Sequence, residues 1–129
     1  MCGHVEPMSV FTALEDAALS AIFREVPELI TVLQAQKEAA AIVSRENDGG
    51  GFFTYVSVGD EAPKIASPHN LGQNVYARVE GLEYGIGFVL ILKHGRMHVL
   101  DGYAIGVEST AAIDFATANF AISETPFDS

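Results

Sequence analysis

This chain is poor in three things. It has one cysteine, only seven lysines and arginines, and no apolar run longer than the seven residues from Ile86 to Leu92. A single cysteine cannot close an internal disulfide, so a reducing, cytoplasmic setting is expected. A run of seven falls far short of the roughly 18 apolar residues a membrane span needs, so no membrane partner is expected. No basic region followed by an apolar block opens the chain, and no signal peptide is predicted. Seven scattered cations against 17 acidic residues leave a formal net charge of −10. Nucleic acid needs clustered Lys and Arg along its phosphates, so this balance speaks against it as a partner.

What is present is ordinary for a folded domain. The chain has 129 residues, 49% of them hydrophobic and 19% charged. That length and composition predict one domain over 1–129 with a single core, led by a flexible stretch at 1–8. The acidic residues are spread along the chain and form no tail.

Local signals predict two N-terminal helices followed by strands. Thr12 and Glu15 have capping-box spacing, which starts a first helix running to about Glu25. Pro27 suits the first turn of a second helix. Leu29, Leu33, Gln36, Ala40 and Val43 recur at helical spacing, which extends that helix to about Glu46. Phe52 to Val58 is aromatic and β-branched, hence a strand. Val75, Ala77 and Val79 alternate with polar partners, hence a strand with one buried face. His94-Gly95 separates two apolar runs as a two-residue hairpin turn. Without irregularity, that hairpin sets Leu92 opposite Met97, Ile91 opposite His98 and Phe88 opposite Asp101. One face would carry Ile86, Phe88, Leu90, Leu92, Met97, Val99, Asp101 and Tyr103. Both faces are apolar, which predicts a central hairpin with helices on one side and a second subunit, in a homodimer, on the other. A last strand is expected within Ile113 to Ile122. The sum is an α+β fold with two helices on a mainly antiparallel sheet of four to five strands.

Gly49-Gly50-Gly51 raises the possibility of a phosphate loop. Such loops run from strand to helix, so that the helix N-terminus meets the anion. Here the predicted order is helix, glycines, strand, and a helix C-terminus repels an anion. The glycines are therefore expected to form a turn. Gly85-Ile86-Gly87 lacks a third glycine and precedes a strand, so it is no dinucleotide fingerprint.

The runs SRENDGGGFFTYVSV (44–58) and GLEYGIGFVLILKHGRMHVLDGY (81–103) resemble a family of small uncharacterised bacterial α+β proteins. The shared features are an Arg-Glu closing a helix, a Gly-Phe-Phe-Thr strand entry and a Gly-x-Gly-Phe hairpin ending in acid-Gly-Tyr. The resemblance covers about 27–104 and departs after Tyr103, where Ala104 to Glu108 lack an aromatic-proline ending. It implies a fold and no activity.

Few residues offer chemistry. Asp101 lies on an apolar face and needs a partner there, for which Arg45, Arg78 or the Tyr103 hydroxyl are candidates. His98, among Val89, Ile91 and Leu100, reads as a core or interface histidine. The four histidines show no metal-ligand spacing, and neither metal nor cofactor is expected. Three functions follow. The first is a non-catalytic binding or protein-interaction module. The second is a small hydrolase or transferase with a site near Arg45, Asp101 and Tyr103, joined by His69 from the long loop. The third uses the N-terminus that removal of Met1 would expose: Cys2 as a nucleophile with its own amine as base, or Cys2-Gly3-His4 as a square-planar nitrogen site for Cu(II) or Ni(II). The Met-Cys-Gly opening resembles that of N-terminal-nucleophile glutamine amidotransferases, although only three residues match and the chain is too short for their four-layer fold.

Overall fold

Thr12 opens the first helix as the spacing predicts. Its hydroxyl accepts from the Glu15 N–H at 3.1 Å, and the Glu15 carboxylate accepts from the Thr12 N–H at 2.9 Å. The computed structural model describes residues 11–66, 70–72 and 74–123. Helix α1 spans Ala13–Arg24 and buries Leu14, Ala18, Leu19, Ala21, Ile22 and Phe23. Each of the larger side chains contributes about 2 kcal/mol relative to exposure. Pro27–Leu29 forms a 3-10 turn, and helix α2 follows over Ile30–Glu38.

The second helix therefore ends eight residues earlier than its periodicity predicts. Ala40–Asn47 is strand β1, paired antiparallel with β2 over Gly51–Val58. Helical spacing and helix-favouring alanines extend through Ala41, but β2 offers a row of backbone partners that a helix here would leave unmet. Arg45-Glu46, expected to close a helix, thus lies within a strand. The three glycines connect two strands. They do form a turn, although the helix dipole is not the reason. Asp48 N–H donates to the Gly51 carbonyl at 3.1 Å, and Gly49 has φ +90°.

Strands β3 (Tyr76–Val79), β4 (Ile86–Lys93), β5 (Arg96–Ala104) and β6 (Phe120–Ser123) complete a six-stranded sheet. Its order is β1-β2-β5-β4-β3-β6, and every pairing is antiparallel. The β4–β5 hairpin is central, as its two apolar faces predict. The α+β class holds, with one or two strands more than expected. The final strand covers only the end of the predicted segment.

Two β-bulges change which side chains share a face. In β1, Ile42 pairs with Val56 and Ser44 with Tyr55, so Val43 is the extra residue. In β5, Met97 pairs with Leu92 and Val99 with Ile91, so His98 is extra. Every residue after His98 is displaced by one from the regular register. Phe88 stands opposite Gly102, and Asp101 stands opposite Val89. Leu90 and Leu100 pair on the helix-covered face with Phe52, Thr54, Phe88 and Gly102. Val99, Asp101 and Tyr103 fall on the other face.

One buried polar side chain links helix to hairpin. Gln36 Nε2 donates to the carbonyls of Pro63 (2.8 Å) and Gly95 (2.9 Å), and its Oε1 accepts from the Met97 N–H (3.0 Å). The residue is fully buried, so each bond removes a polar group from an otherwise unmet state.

The His94-Gly95 turn has φ +54° and +77°. Both central residues are left-handed, as a type I′ turn requires. Histidine bears a steric cost there that asparagine largely avoids. His94→Asn is expected to raise the thermal midpoint by a few degrees, corresponding to up to about 1 kcal/mol. Gly95→Ala is expected to lower it, since a Cβ would sit 2.6 Å from the Ile65 carbonyl oxygen. Calorimetry of both variants checks this, and equal stabilities would contradict the turn.

Candidate interaction face

Arg45 and Asp101, proposed as partners from the sequence, lie on opposite faces of the sheet. The bulge at Val43 places Arg45 opposite Thr54, on the helix-covered side. There it meets Glu15 of α1. Arg45 Nε donates to Oε2 at 2.8 Å and Nη2 to Oε1 at 2.9 Å, while the Thr54 hydroxyl donates to Oε2 at 2.6 Å. With the Thr12 N–H, each carboxylate oxygen accepts two bonds. Burial pushes the Glu15 carboxyl upward, but the bonds from Arg45, Thr54 and Thr12, with the charge of Arg45, outweigh this and hold it below its ordinary range. The bond to Glu15 correspondingly raises Arg45.

This network borders a pocket of about 310 Å³, lined also by Phe52, Ile113 and Phe115. That volume is at the small end for ligand sites, which begin at about 300 Å³. Its carboxylate is already saturated by protein donors, so Glu15 has no lone pair directed at a substrate. Asn47, on the same face, is likewise committed to Thr110: its Nδ2 donates to the Thr110 carbonyl at 2.7 Å, and its Oδ1 accepts from the Thr110 hydroxyl at 2.7 Å. These contacts join β1 to the segment before β6.

Asp101 and Tyr103 are together on the open face. Asp101 is flanked by Phe53 on β2 and Val89 on β4. Burial, then the nearby charge of Asp48, pushes its carboxyl above the ordinary range. No hydrogen bond to it is found among the described residues. Tyr103 lies across Gly87, where a Cβ would come within 2.4 Å of its ring. Burial and then its neighbours Tyr76 and Asp101 raise the Tyr103 hydroxyl. His69 lies outside the described residues, as do Cys2 and His4. His98, expected among apolar neighbours, instead occupies the bulge and borders a shallow groove with Val56 and Lys93. Among the described residues, no group of three His, Cys, Asp or Glu could hold a metal ion.

The open face is mainly apolar. Cross-strand rows place Phe53, Asp101 and Val89 side by side, then Tyr55, Val99 and Ile91, then Tyr103, Gly87 and Tyr76. Phe53 and Tyr55 stack with centroids 6.3 Å apart. The buried side chains of α1 and α2 pack against the other face. Phe53, Tyr55, Val89, Ile91 and Tyr76 are consequently only half-buried, and Tyr103 is 36% exposed. Glu46, paired with Phe53, adds a carboxylate near Asp48 and Asp101, while Arg78 and Lys93 stand towards the other margins. Sequence reasoning identified Asp101 and Tyr103 but missed Phe53, Tyr55 and Glu15. The alternation of Phe52 to Val58 carried the signal for the first two. Glu15 was visible only as a capping residue.

Glu15 and Asp101 should respond oppositely to substitution. Glu15→Gln is expected to cost about 2–3 kcal/mol, less than breaking a fully buried pair, because Arg45 can still reach water. Glu15 has a lowered folded pKa, so its contribution is present above the unfolded value of about 4.3 and is lost as pH falls through the folded value. Asp101 has a raised folded pKa, so its ionisation costs stability as pH rises from the unfolded value, about 3.9, to the folded one. Asp101→Asn is therefore expected to leave stability at neutral pH unchanged or slightly higher. Urea unfolding at neutral pH and at pH 4 distinguishes the two variants, and equal losses would contradict these roles. Compared with protein-family models, curated proteins and solved structures, the chain matches none.

Proposed function

We propose that this chain is a non-catalytic protein-interaction module that binds through the open face of its sheet. The observation carrying this reading is the aromatic and aliphatic surface on β2, β5 and β4, which no described helix covers. An antiparallel sheet with one solvated face ordinarily alternates apolar-in with polar-out. Here the outward positions Phe53, Tyr55, Val89, Ile91 and Tyr103 are apolar or aromatic and partly exposed, and Val99 is buried among them. Contiguous apolar surface of this kind characterises interaction sites. The alternative of a hydrolase or transferase near Arg45, Asp101 and Tyr103 loses support from the placement of these residues, because the sheet separates the guanidinium from the other two.

The reading is tested by replacing Phe53 with the photo-crosslinking residue p-benzoylphenylalanine in cells that produce the protein. The same residue at Arg24, exposed at the end of α1, serves as control. A discrete protein adduct is expected from position 53 and none from position 24. Its mass separates a second copy of the chain from a different protein. No adduct at position 53, or equal adducts at both positions, would refute the interaction face.

A further inference from the structure

We infer that the groove between the ends of β2 and β5 binds a small-molecule phosphate monoester, its phosphate set among Lys93, His94, Arg96 and His98 and its apolar body against Val43 and Val58. None of Phe53, Tyr55, Val89, Ile91 and Tyr103 lines this groove, so the site stands apart from the proposed interaction face.

The groove follows from the bulge at His98. The β2–β5 ladder ends at the Tyr55–Val99 pair. Beyond it β2 continues to Val58 and β5 begins at Arg96, so three residues of each strand run on without pairing to each other. The space between them is about 380 Å³, above the lower limit of about 300 Å³ for ligand sites.

Cations of an acidic chain are concentrated there. Two of the seven lysines and arginines, Lys93 and Arg96, line the groove with two of the four histidines, His94 and His98. Lys64 adjoins the hairpin turn, its Cβ 3.1 Å from where a Cβ on Gly95 would sit. Asp60 is the one acidic residue on the lining. Neither Lys93 nor Arg96 forms an ion pair among the described residues.

Arg96 supplies an independent observation. Its Nη2 donates to the carbonyls of Asp60 at 2.7 Å and Ala62 at 2.9 Å, neutral acceptors that fix the guanidinium and leave its charge unmatched. Its Nε is buried with no hydrogen-bond partner among the described residues. An unmet buried donor is costly and calls for an acceptor. An oxyanion seated against the guanidinium gives it the acceptor and the counter-charge that the described residues do not.

The same geometry selects the anion. Both planar forks of an arginine use Nη2, which is already committed to two carbonyls, so a carboxylate is denied its bidentate fit. The other donors come singly from separate side chains, which suits the three acceptor oxygens of a phosphate. His94 adds a further sign. It holds φ +54° at a steric cost that asparagine largely avoids, and strained residues of this kind concentrate at ligand sites.

NMR titration of the isotopically labelled chain with phenyl phosphate, benzoate and inorganic phosphate tests the site. Phenyl phosphate is expected to shift Ser57, His94, Arg96 and His98 saturably. Benzoate has the same ring on a planar carboxylate and is expected to bind about tenfold more weakly. Inorganic phosphate lacks the apolar body and is expected to bind more weakly than the ester. Lys93→Gln and His94→Asn should each weaken phenyl phosphate about fivefold, the effect of one lost contact to the anion. His94→Asn should do so while raising the thermal midpoint, which separates loss of binding from loss of fold, and a melt confirms that Lys93→Gln is folded. Unchanged affinity in both variants, or shifts centred elsewhere, would overturn the site. So would the absence of a saturable shift at about 10 mM phenyl phosphate. Equal affinity for benzoate would overturn the phosphate and show a response to any anion. Equal affinity for inorganic phosphate would overturn the ester and assign the groove to the free ion.

Discussion

A strand alternates its side chains between two faces, and one inserted residue reverses every assignment beyond it. The arrangement of this protein depends on that constraint at His98. In the regular register, Asp101 and Tyr103 would join Phe88 beneath the helices, and Leu100 would turn outward. A carboxylate would then be buried beside Phe52 without an ionic partner, at a cost of several kcal/mol. The bulge instead sends Leu100 inward, where it is 1% exposed, and leaves Asp101 half-exposed on the open face. The bulge at Val43 acts in the same way on β1. It turns Arg45 inward to Glu15 and leaves Val43, 64% exposed, at the edge of the sheet. A bulge and exposed charge on an edge strand also discourage pairing with other chains along that edge.

The two polar side chains that tie the helices to the sheet, Glu15 and Gln36, are fully bonded. Glu15 accepts four hydrogen bonds from a helix N-terminus, a strand arginine and a strand threonine. Gln36 satisfies two backbone groups at the start of β5 and its turn and one, Pro63, in the loop between β2 and β3. These two side chains attach α1 and α2 to different regions of the sheet, through β1–β2 and β4–β5 respectively. Such groups add specificity to the packing of Leu14, Leu19, Ile22, Leu33, Phe88 and Leu90, which are among the largest fully buried side chains. With both helices committed to one face, no described helix covers the other, and its composition is the basis of the proposed use.

Much of this architecture was legible in the residues. Thr12 and Glu15 announced a helix start, His94-Gly95 a turn, and the doubly apolar hairpin the centre of the sheet. Each is a local signal with a local cause. Three features were not legible. Helical periodicity continued through Ala40 and Val43 because alanine suits a helix, whereas the pairing with β2 that makes them a strand is long-range. Neither bulge has a distinguishing residue, since Val43 and His98 are ordinary strand occupants. The Glu15–Arg45 pair joins residues 30 positions apart, and only the fold brings them together. Asp101 could therefore be recognised as a residue in need of a partner, but the partner assigned to it on sequence grounds belongs to another carboxylate.

The central claim is that one face of the sheet is closed by helices and the other is available for binding. Hydroxyl-radical footprinting of the purified chain at low micromolar concentration tests it most directly, because aromatic rings report their own accessibility. The account predicts rapid oxidation of Phe53, Tyr55 and Tyr103, with protection of Phe52 and Phe88, which are 5% and 0% exposed. Protection of all five rings to the same degree would show that the open face is covered within the chain itself, and would contradict the account.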